Sequence, residues 1–233
     1  MYEAVHAHPE GEATVARHAA TAARYGYDGL VVRNHAATTD DSLTAVAAEY
    51  EIDIVDAIEV DAADPSQASG GVGNHRPDHT VVCVAGGDDQ LNRYAVEEPR
   101  VDVLVRPNAG SGGFNHVLAK AARDNSVSVE FDFGPVLRST GGKRVRALAD
   151  LRKLREIVSY YETPYVVSAN ARSHLQLRAP RELVAVGECL GFDPEWICDG
   201  LRAWTTIAEQ NRERRSEGFI APGVRRGRYE TER

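Results

Sequence analysis

Short apolar runs alternate with longer amphipathic ones along most of the chain. YEAVHAH opens it, and GLVVRNH (29–35), IDIVDAIEVDA (52–62), TVVCVAGG (80–87), VDVLVRP (101–107), SVSVEFDFG (126–134) and YVVSANA (165–171) follow. Most are rich in valine, IDIVDAIEVDA in isoleucine as well, and each has the length of a strand buried on both faces. The runs between them have helical spacing. EATVARHAATAARYG predicts a helix ended by Gly26, and TTDDSLTAVAAEYE carries an apolar row at Leu43, Val46, Ala47 and Tyr50. DDQLNRYAVE, FNHVLAKAARDN and RELVAVGECLG read as helices too. The longest helix is expected over 141–162, with Leu151, Leu154, Val158 and Tyr161 on one face. Asp193 followed by Pro194 marks the start of the last helix, whose stripe is Ile197, Leu201, Trp204 and Ala208. DPSQASGGVGNHRPD (64–78) and NAGSGG (108–113) are expected to be loops, and neither glycine run has the spacing of a phosphate-binding loop.

Seven strands alternating with helices and no linker between them predict an α/β fold. One closed or nearly closed, TIM-like (β/α) barrel is the expectation. The barrel domain is expected over 1–211, followed by an Arg-rich, aperiodic, mobile tail over 212–233. No apolar run reaches the length that spans a bilayer, and Met1 leads straight into a strand, so neither a membrane anchor nor a leader is expected. Three cysteines without paired spacing (Cys83, Cys189, Cys198) are expected to be reduced, as in a cytoplasmic protein.

Charge changes this picture in one respect. The net charge is −8, yet the basic residues are almost all arginine; Lys120, Lys143 and Lys153 are the three lysines. An acidic, lysine-poor surface resembles that of proteins from salt-accumulating halophiles. At 1 M salt the Debye length is about 3 Å, so short-range hydrogen bonds and stacking must replace long-range attraction. Acidity therefore does not exclude a nucleic-acid partner.

In a parallel barrel the strand tips converge on one face, where sites are built. His6, His8, His35, Glu59, Asp61, Glu130, Asp132 and Asn170 all fall at such tips, with His116 beyond the fifth strand. Residues i and i+2 of a strand share a face. His6 and His8 are therefore candidate ligands to one metal, with Glu59 completing a site for zinc or manganese. An HxH pair also arises by chance. His18, His75, His79 and His174 are expected at the surface or in loops. Two basic loops should meet beside the tips: Arg138, Lys143, Arg144 and Arg146 after strand six, and Arg172, Arg178 and Arg181 after strand seven. Guanidinium forks there suit phosphate and stacked bases, while pairing with surface acids is the plain alternative. Arg225, Arg226 and Arg228 of the tail are further candidates for RNA contact.

HAH, then NH after strand two, then AIE in strand three, resembles the polymerase-and-histidinol-phosphatase family of metal-dependent phosphoesterases. That resemblance implies a multinuclear metal site. The sequence departs from it twice: Asn34 stands where an aspartate would precede His35, and SANA replaces an aspartate-x-histidine element in the last strand. VVSANARSHLQLRAPRELVAVG (166–187), EFDFGPVLRSTGGKRVRAL (130–148), the opening YEAVHAHPEG and the final helix ending in AEQNRERR resemble another family of related fold. That is the family of archaeal ribonuclease P protein component 3. The resemblance spans about residues 1–213 and is most specific over 129–187. It implies a subunit of the ribonucleoprotein that removes the 5′ leader from precursor tRNA, with catalysis by the RNA and no catalytic residue in this chain. The implied partners are ribonuclease P RNA, a Pop5-like protein, other protein subunits and precursor tRNA. It implies no required cofactor, with His6, His8 and Glu59 left as a residual divalent-metal site. The competing expectation is a stand-alone metal-dependent phosphoesterase using His6, His8, His35, Glu59 and His116.

Overall fold

The computed structural model describes residues 1–35, 40–216, 219–221 and 224–225. Its core is a seven-stranded, all-parallel sheet in sequence order: β1 (Tyr2–Val5), β2 (Gly29–Asn34), β3 (Asp53–Val60), β4 (Val81–Ala85), β5 (Val103–Val105), β6 (Ser128–Asp132) and β7 (Tyr165–Ser168). The crossovers between strands supply α1 (Val15–Tyr25), α2 (Asp40–Tyr50), α3 (Pro65–His75), α4 (Asp89–Glu97), α5 (His116–Asp124), α6 (Gly134–Arg138) and α7 (Gly141–Tyr161). After β7 come α8 (Pro180–Leu190) and α9 (Pro194–Arg215). The seven expected strands and the seven expected helices are there, with α3 and α6 in addition.

Residues 64–78 do not form the expected loop. Asp64 accepts from the backbone N–H groups of Ser66 and Gln67, at 2.9 Å each, and Pro65 sits in the first turn, so α3 starts as a capped helix. One of its glycines serves close packing: a Cβ on Gly71 would stand 2.8 Å from Val60 Cγ1 of β3. The helix is thereby able to lie directly on the sheet.

Strand side chains alternate between two cores. Tyr2, Ala4, Val31, Val55, Ala57, Val81, Cys83, Ala85, Val103, Val105 and Val166 fill the barrel lumen with Trp204 and Ala208 of α9. The opposite parity packs against the helices, and includes Leu151, Leu154, Val158, Ile197 and Leu201 from the predicted stripes.

The barrel closes in an unusual way. β1 and β7 meet in one parallel bridge, Val5 to Ala171, extended by the His6 N–H donating to the Ala171 carbonyl at 2.9 Å. Below that point side chains take over the missing ladder. The Glu3 carboxylate accepts from the Ala169 N–H at 2.9 Å, and Trp204 Nε1–H donates to the Val167 carbonyl at 2.9 Å. Helix α9, packed on β7 and β1, covers this seam.

α9 continues to Arg215, four residues past the expected domain boundary. Arg212 forms a two-pronged contact with Asp53 (2.7 and 2.9 Å), so these residues belong to the barrel. Beyond it β8 (Phe219–Ala221) and β9 (Val224–Arg225) pair antiparallel. Arg226, Arg228 and the side chain of Arg225 lie outside the described residues, as do 36–39 before α2. No helix among the described residues is long and apolar enough to cross a membrane, and all three cysteines are free.

Glu3 has a measurable consequence. Burial, only partly offset by its N–H and O–H donors, pushes its pKa up to about 8. The folded state then binds this proton more tightly than the unfolded chain does. Stability from this group is complete below the unfolded value and declines as pH rises from about 5 through 8. In denaturant titrations the wild type should lose at least about 1 kcal/mol relative to Glu3→Gln over that range. A constant difference between the two proteins across pH would contradict this.

Candidate functional site

The inward parity that makes the lower lumen apolar places charge in its upper half. His6 follows Ala4, Arg33 follows Val31, Glu59 follows Ala57, and Glu130 and Asp132 follow Ser128. These side chains converge below the strand tips. Arg33, fully buried, puts Nη2 2.6 Å from Glu130 Oε1 and Nε 3.6 Å from Glu59 Oε2. Arg106, at the end of β5, reaches Glu59 Oε1 at 2.6 Å. Burial opposes the charge on Arg33, but Glu130 and Glu59 outweigh it and push its pKa above the ordinary value. Sequence reasoning does not single out Arg33 or Arg106. The available signal is parity: Arg33 interrupts an apolar strand two residues after an inward valine.

Several expected site residues are placed differently. β1 ends at Val5, and the chain turns after Ala7, whose carbonyl accepts from the N–H groups of Glu10 and Gly11. The i, i+2 relation therefore fails: His6 is buried and His8 is exposed. His6 does approach Glu59, with Nε2 3.5 Å from Oε2, and its ring lies 5.7 Å from that of His35. Burial first, then the charges of Arg33, Arg172 and Arg106, hold the His6 pKa down at about 2, so the imidazole is neutral. His116 is exposed at the start of α5, beside Tyr161 of α7, and takes no part in the site. His18, expected at the surface or in a loop, is buried within α1; His79 lies in the loop before β4 as expected, buried there with Nδ1 2.8 Å from Asp56 Oδ2.

A multinuclear metal site of the phosphoesterase kind does not fit these residues. Glu59 and Glu130 already face guanidinium groups, and Asn34 Oδ1 is occupied by the Ala7 N–H at 2.9 Å. The one three-residue constellation of metal-ligand geometry among the described residues is His6, Glu10 and His35. It shares only His6 with the expected trio of His6, His8 and Glu59, and the Glu10 carboxylate already accepts from the His35 N–H at 2.6 Å.

The elbow after β7 works as a latch. Ser168 donates to Glu130 Oε1 at 2.6 Å, and Asn170 donates to Asp132 Oδ2 at 2.9 Å. Asn170 has φ 49°, a left-handed conformation that asparagine tolerates. Arg138 donates to the Ala169 and Asn170 carbonyls (2.8 and 3.1 Å). Arg172 reaches the Glu10 carbonyl at 2.6 Å, and Arg178 the Leu177 carbonyl at 2.8 Å. Those three arginines thus hold backbone, although Arg138 and Arg172 also reach the surface, where Lys143, Arg144, Arg146 and Arg181 are exposed. Beside the latch lies a cleft of about 350 Å³ between β5, β6 and α7, whose rim includes Arg106, Lys143 and Arg146.

The fold and site together define a parallel (β/α) barrel in which guanidinium groups face the lumen carboxylates Glu59 and Glu130. The fold alone resembles a histidinol phosphatase structure from Listeria monocytogenes, with a TM-score of 0.50, 9% identity and coverage of 76% of this chain and 97% of that one. A chain in a structure of archaeal ribonuclease P with mature tRNA resembles it over the full length of both, with a TM-score of 0.86 and 21% identity. The family model for RNase P subunit p30 matches residues 1–216, and the chain belongs to that family, as a protein subunit of ribonuclease P. It is 71% identical to ribonuclease P protein component 3 of Halorubrum lacusprofundi, over 99% of each chain. It is also 35% identical to that of Methanosarcina barkeri, over 94% of this chain and 92% of the relative.

Proposed function

We propose that the chain is a non-catalytic scaffold within ribonuclease P, where RNA carries out removal of the 5′ leader from precursor tRNA and a Pop5-like protein is among its neighbours. The supporting observation is the Arg33–Glu59–Glu130 cluster: carboxylates that would hold water-activating metals hold guanidinium instead. Cytoplasmic action accompanies this reading. Reconstitution with the RNA and the Pop5-like protein at molar salt tests it. Omitting this chain should slow precursor-tRNA cleavage tenfold or more, about 1.4 kcal/mol of barrier. Unchanged cleavage without the chain would remove the proposal.

Phosphate contact is assigned to the exposed Lys143, Arg144, Arg146 and Arg181, with Arg138, Arg172 and Arg178 shaping the surface that carries them. Replacing the exposed four by alanine should weaken RNA binding similarly across sequences. It should also reduce the slope of log affinity against log salt by about 0.7 to 0.9 for each phosphate no longer engaged. A slope equal to that of the wild type would place the RNA-binding surface elsewhere.

The chain is also proposed to need no metal for its own stability, because Arg33 and Arg106 supply the charge that cations would. Dialysis of the isolated chain against a chelator should leave its denaturation midpoint unchanged. A clear fall in that midpoint, restored by zinc or manganese, would count against it.

A further inference from the structure

Resting on that scaffold reading, we propose that the outward face of α7 carries an RNA strand along its length and stacks one unpaired base on Tyr160. The phosphate surface assigned above to the first turns of α7 then continues to the far end of the helix. Helical spacing sorts this 21-residue segment into two faces. Leu151, Leu154 and Val158 are buried in the core. Val145, Ala149, Arg152, Glu156 and Tyr160 recur three or four positions apart on the opposite side, and all five are exposed.

The cations of α7 are free in a way that many others on the surface are not. Lys143, Arg144, Arg146, Arg152 and Lys153 are exposed, and none forms an ion pair among the described residues. Arginines exposed on other helices do pair: Arg93 with Glu97 on α4, Arg123 with Asp124 on α5, and Arg202 with Glu195 and Asp199 on α9. In a chain of 35 acidic and 27 basic residues, five unpaired cations on one helix are a local excess. The acids of α7 are Glu156 and the half-buried Asp150, and neither closes on these cations. Such a row complements a row of phosphates.

At the far end the chemistry changes. Tyr160 is 79% exposed. Its ring meets that of Tyr161 edge-on at 4.8 Å, and Tyr161 has Lys120 Nζ 5.4 Å and His116 6.3 Å from its ring centroid. Tyr160 is thus braced by a neighbouring ring while most of its own surface faces water. An aromatic ring held this way accepts a base of any identity. Stacking also persists at molar salt, where the Debye length is about 3 Å and phosphate contacts weaken.

A protein partner fits this face less well. Val145 and Tyr160 lie roughly 22 Å apart along the helix axis, with cations and Ala149 between them. Val117, also exposed, is on the neighbouring α5. Protein interfaces are built around a contiguous apolar centre depleted of charge, the reverse of this arrangement.

The test measures affinity of the chain for ribonuclease P RNA, with the Pop5-like protein present, across a salt series. Arg152→Ala/Lys153→Ala should lower the slope of log affinity against log salt by about 0.7 for each phosphate released. Tyr160→Ala should weaken binding about fivefold or more at every salt concentration and leave the slope unchanged. Tyr160→Phe should restore wild-type binding, because the ring and not the hydroxyl stacks. These positions are exposed, so denaturation midpoints should match the wild type. Suppose the double variant keeps the wild-type slope, or Tyr160→Ala the wild-type affinity, while replacing Lys143, Arg144, Arg146 and Arg181 still weakens binding. The α7 assignment then fails and the scaffold reading stands. Weaker association with the Pop5-like protein without RNA, at unchanged RNA affinity, would also overturn the assignment, since the face would then be a protein contact.

Discussion

Arg33→Met should destabilise the protein by about 3 to 5 kcal/mol, the range for breaking a buried ion cluster by removing one partner. The side chain has no access to water, and Glu59 and Glu130 share it. Without it, Glu130 keeps only Ser168 as a hydroxyl donor, while Glu59 keeps Arg106. The carboxylates would then favour protonation in the folded state, so stability in the variant should fall as pH rises and recover on acidification. Denaturant titrations of wild type and variant at several pH values measure both effects. Adding Glu59→Gln and Glu130→Gln to Arg33→Met should return part of the loss, because the burden is unpaired charge and not missing packing. A deficit below about 1 kcal/mol, or one independent of pH, would mean that the cluster is not what holds the upper lumen together.

Trp204→Ala should cost a comparable amount, about 3 to 5 kcal/mol. Trp204 is the largest fully buried side chain, filling the lower lumen from α9, with Arg33 5.9 Å from its ring. Its indole N–H also satisfies the Val167 carbonyl, which has no β1 partner at the seam. Cavity and orphaned carbonyl add in the same direction. Trp204→Phe separates them: it keeps most of the volume and removes the donor, so it should cost nearer 1 to 2 kcal/mol, about the penalty for one unsatisfied buried group. Equal losses for the two variants would indicate that the hydrogen bond, and not the filling of the barrel, dominates.

Much of the barrel is legible because its signals are local. All seven strands coincide with the β-branched runs, and the stripe Ile197, Leu201, Trp204 and Ala208 is buried as its spacing requires. Helix α3, expected as a loop, carries a readable start as well. Asp64 and Pro65 repeat the Asp–Pro signal that marks α9, but the glycines at 70, 71 and 73 argue for a loop. The role of Gly71, close approach to Val60, depends on a residue from another element.

The site is legible in part. His6 and Glu59 do meet, and SANA does sit at the closing elbow. His8 misleads because the i, i+2 rule holds only while the strand continues, and β1 stops at Val5. Arg138, Arg172 and Arg178 look like the other basic residues of their loops, yet each is bound to backbone carbonyls. A one-dimensional pattern does not distinguish a cation facing RNA from one holding a turn.

By itself, then, the chain's pattern determined the parallel α/β architecture, the strand tips as the place of interest and the absence of a phosphoesterase's final ligands. Periodicity and residue type encode these directly, since each depends on neighbours a few positions away. Only the tertiary structure decided that Arg33 and Arg106 neutralise the acids of the lumen, that α9 completes an incomplete β1–β7 seam, and that the elbow latches the barrel. Those outcomes rest on charges and hydrogen-bonding groups brought together from distant parts of the chain, and burial makes their pairing compulsory.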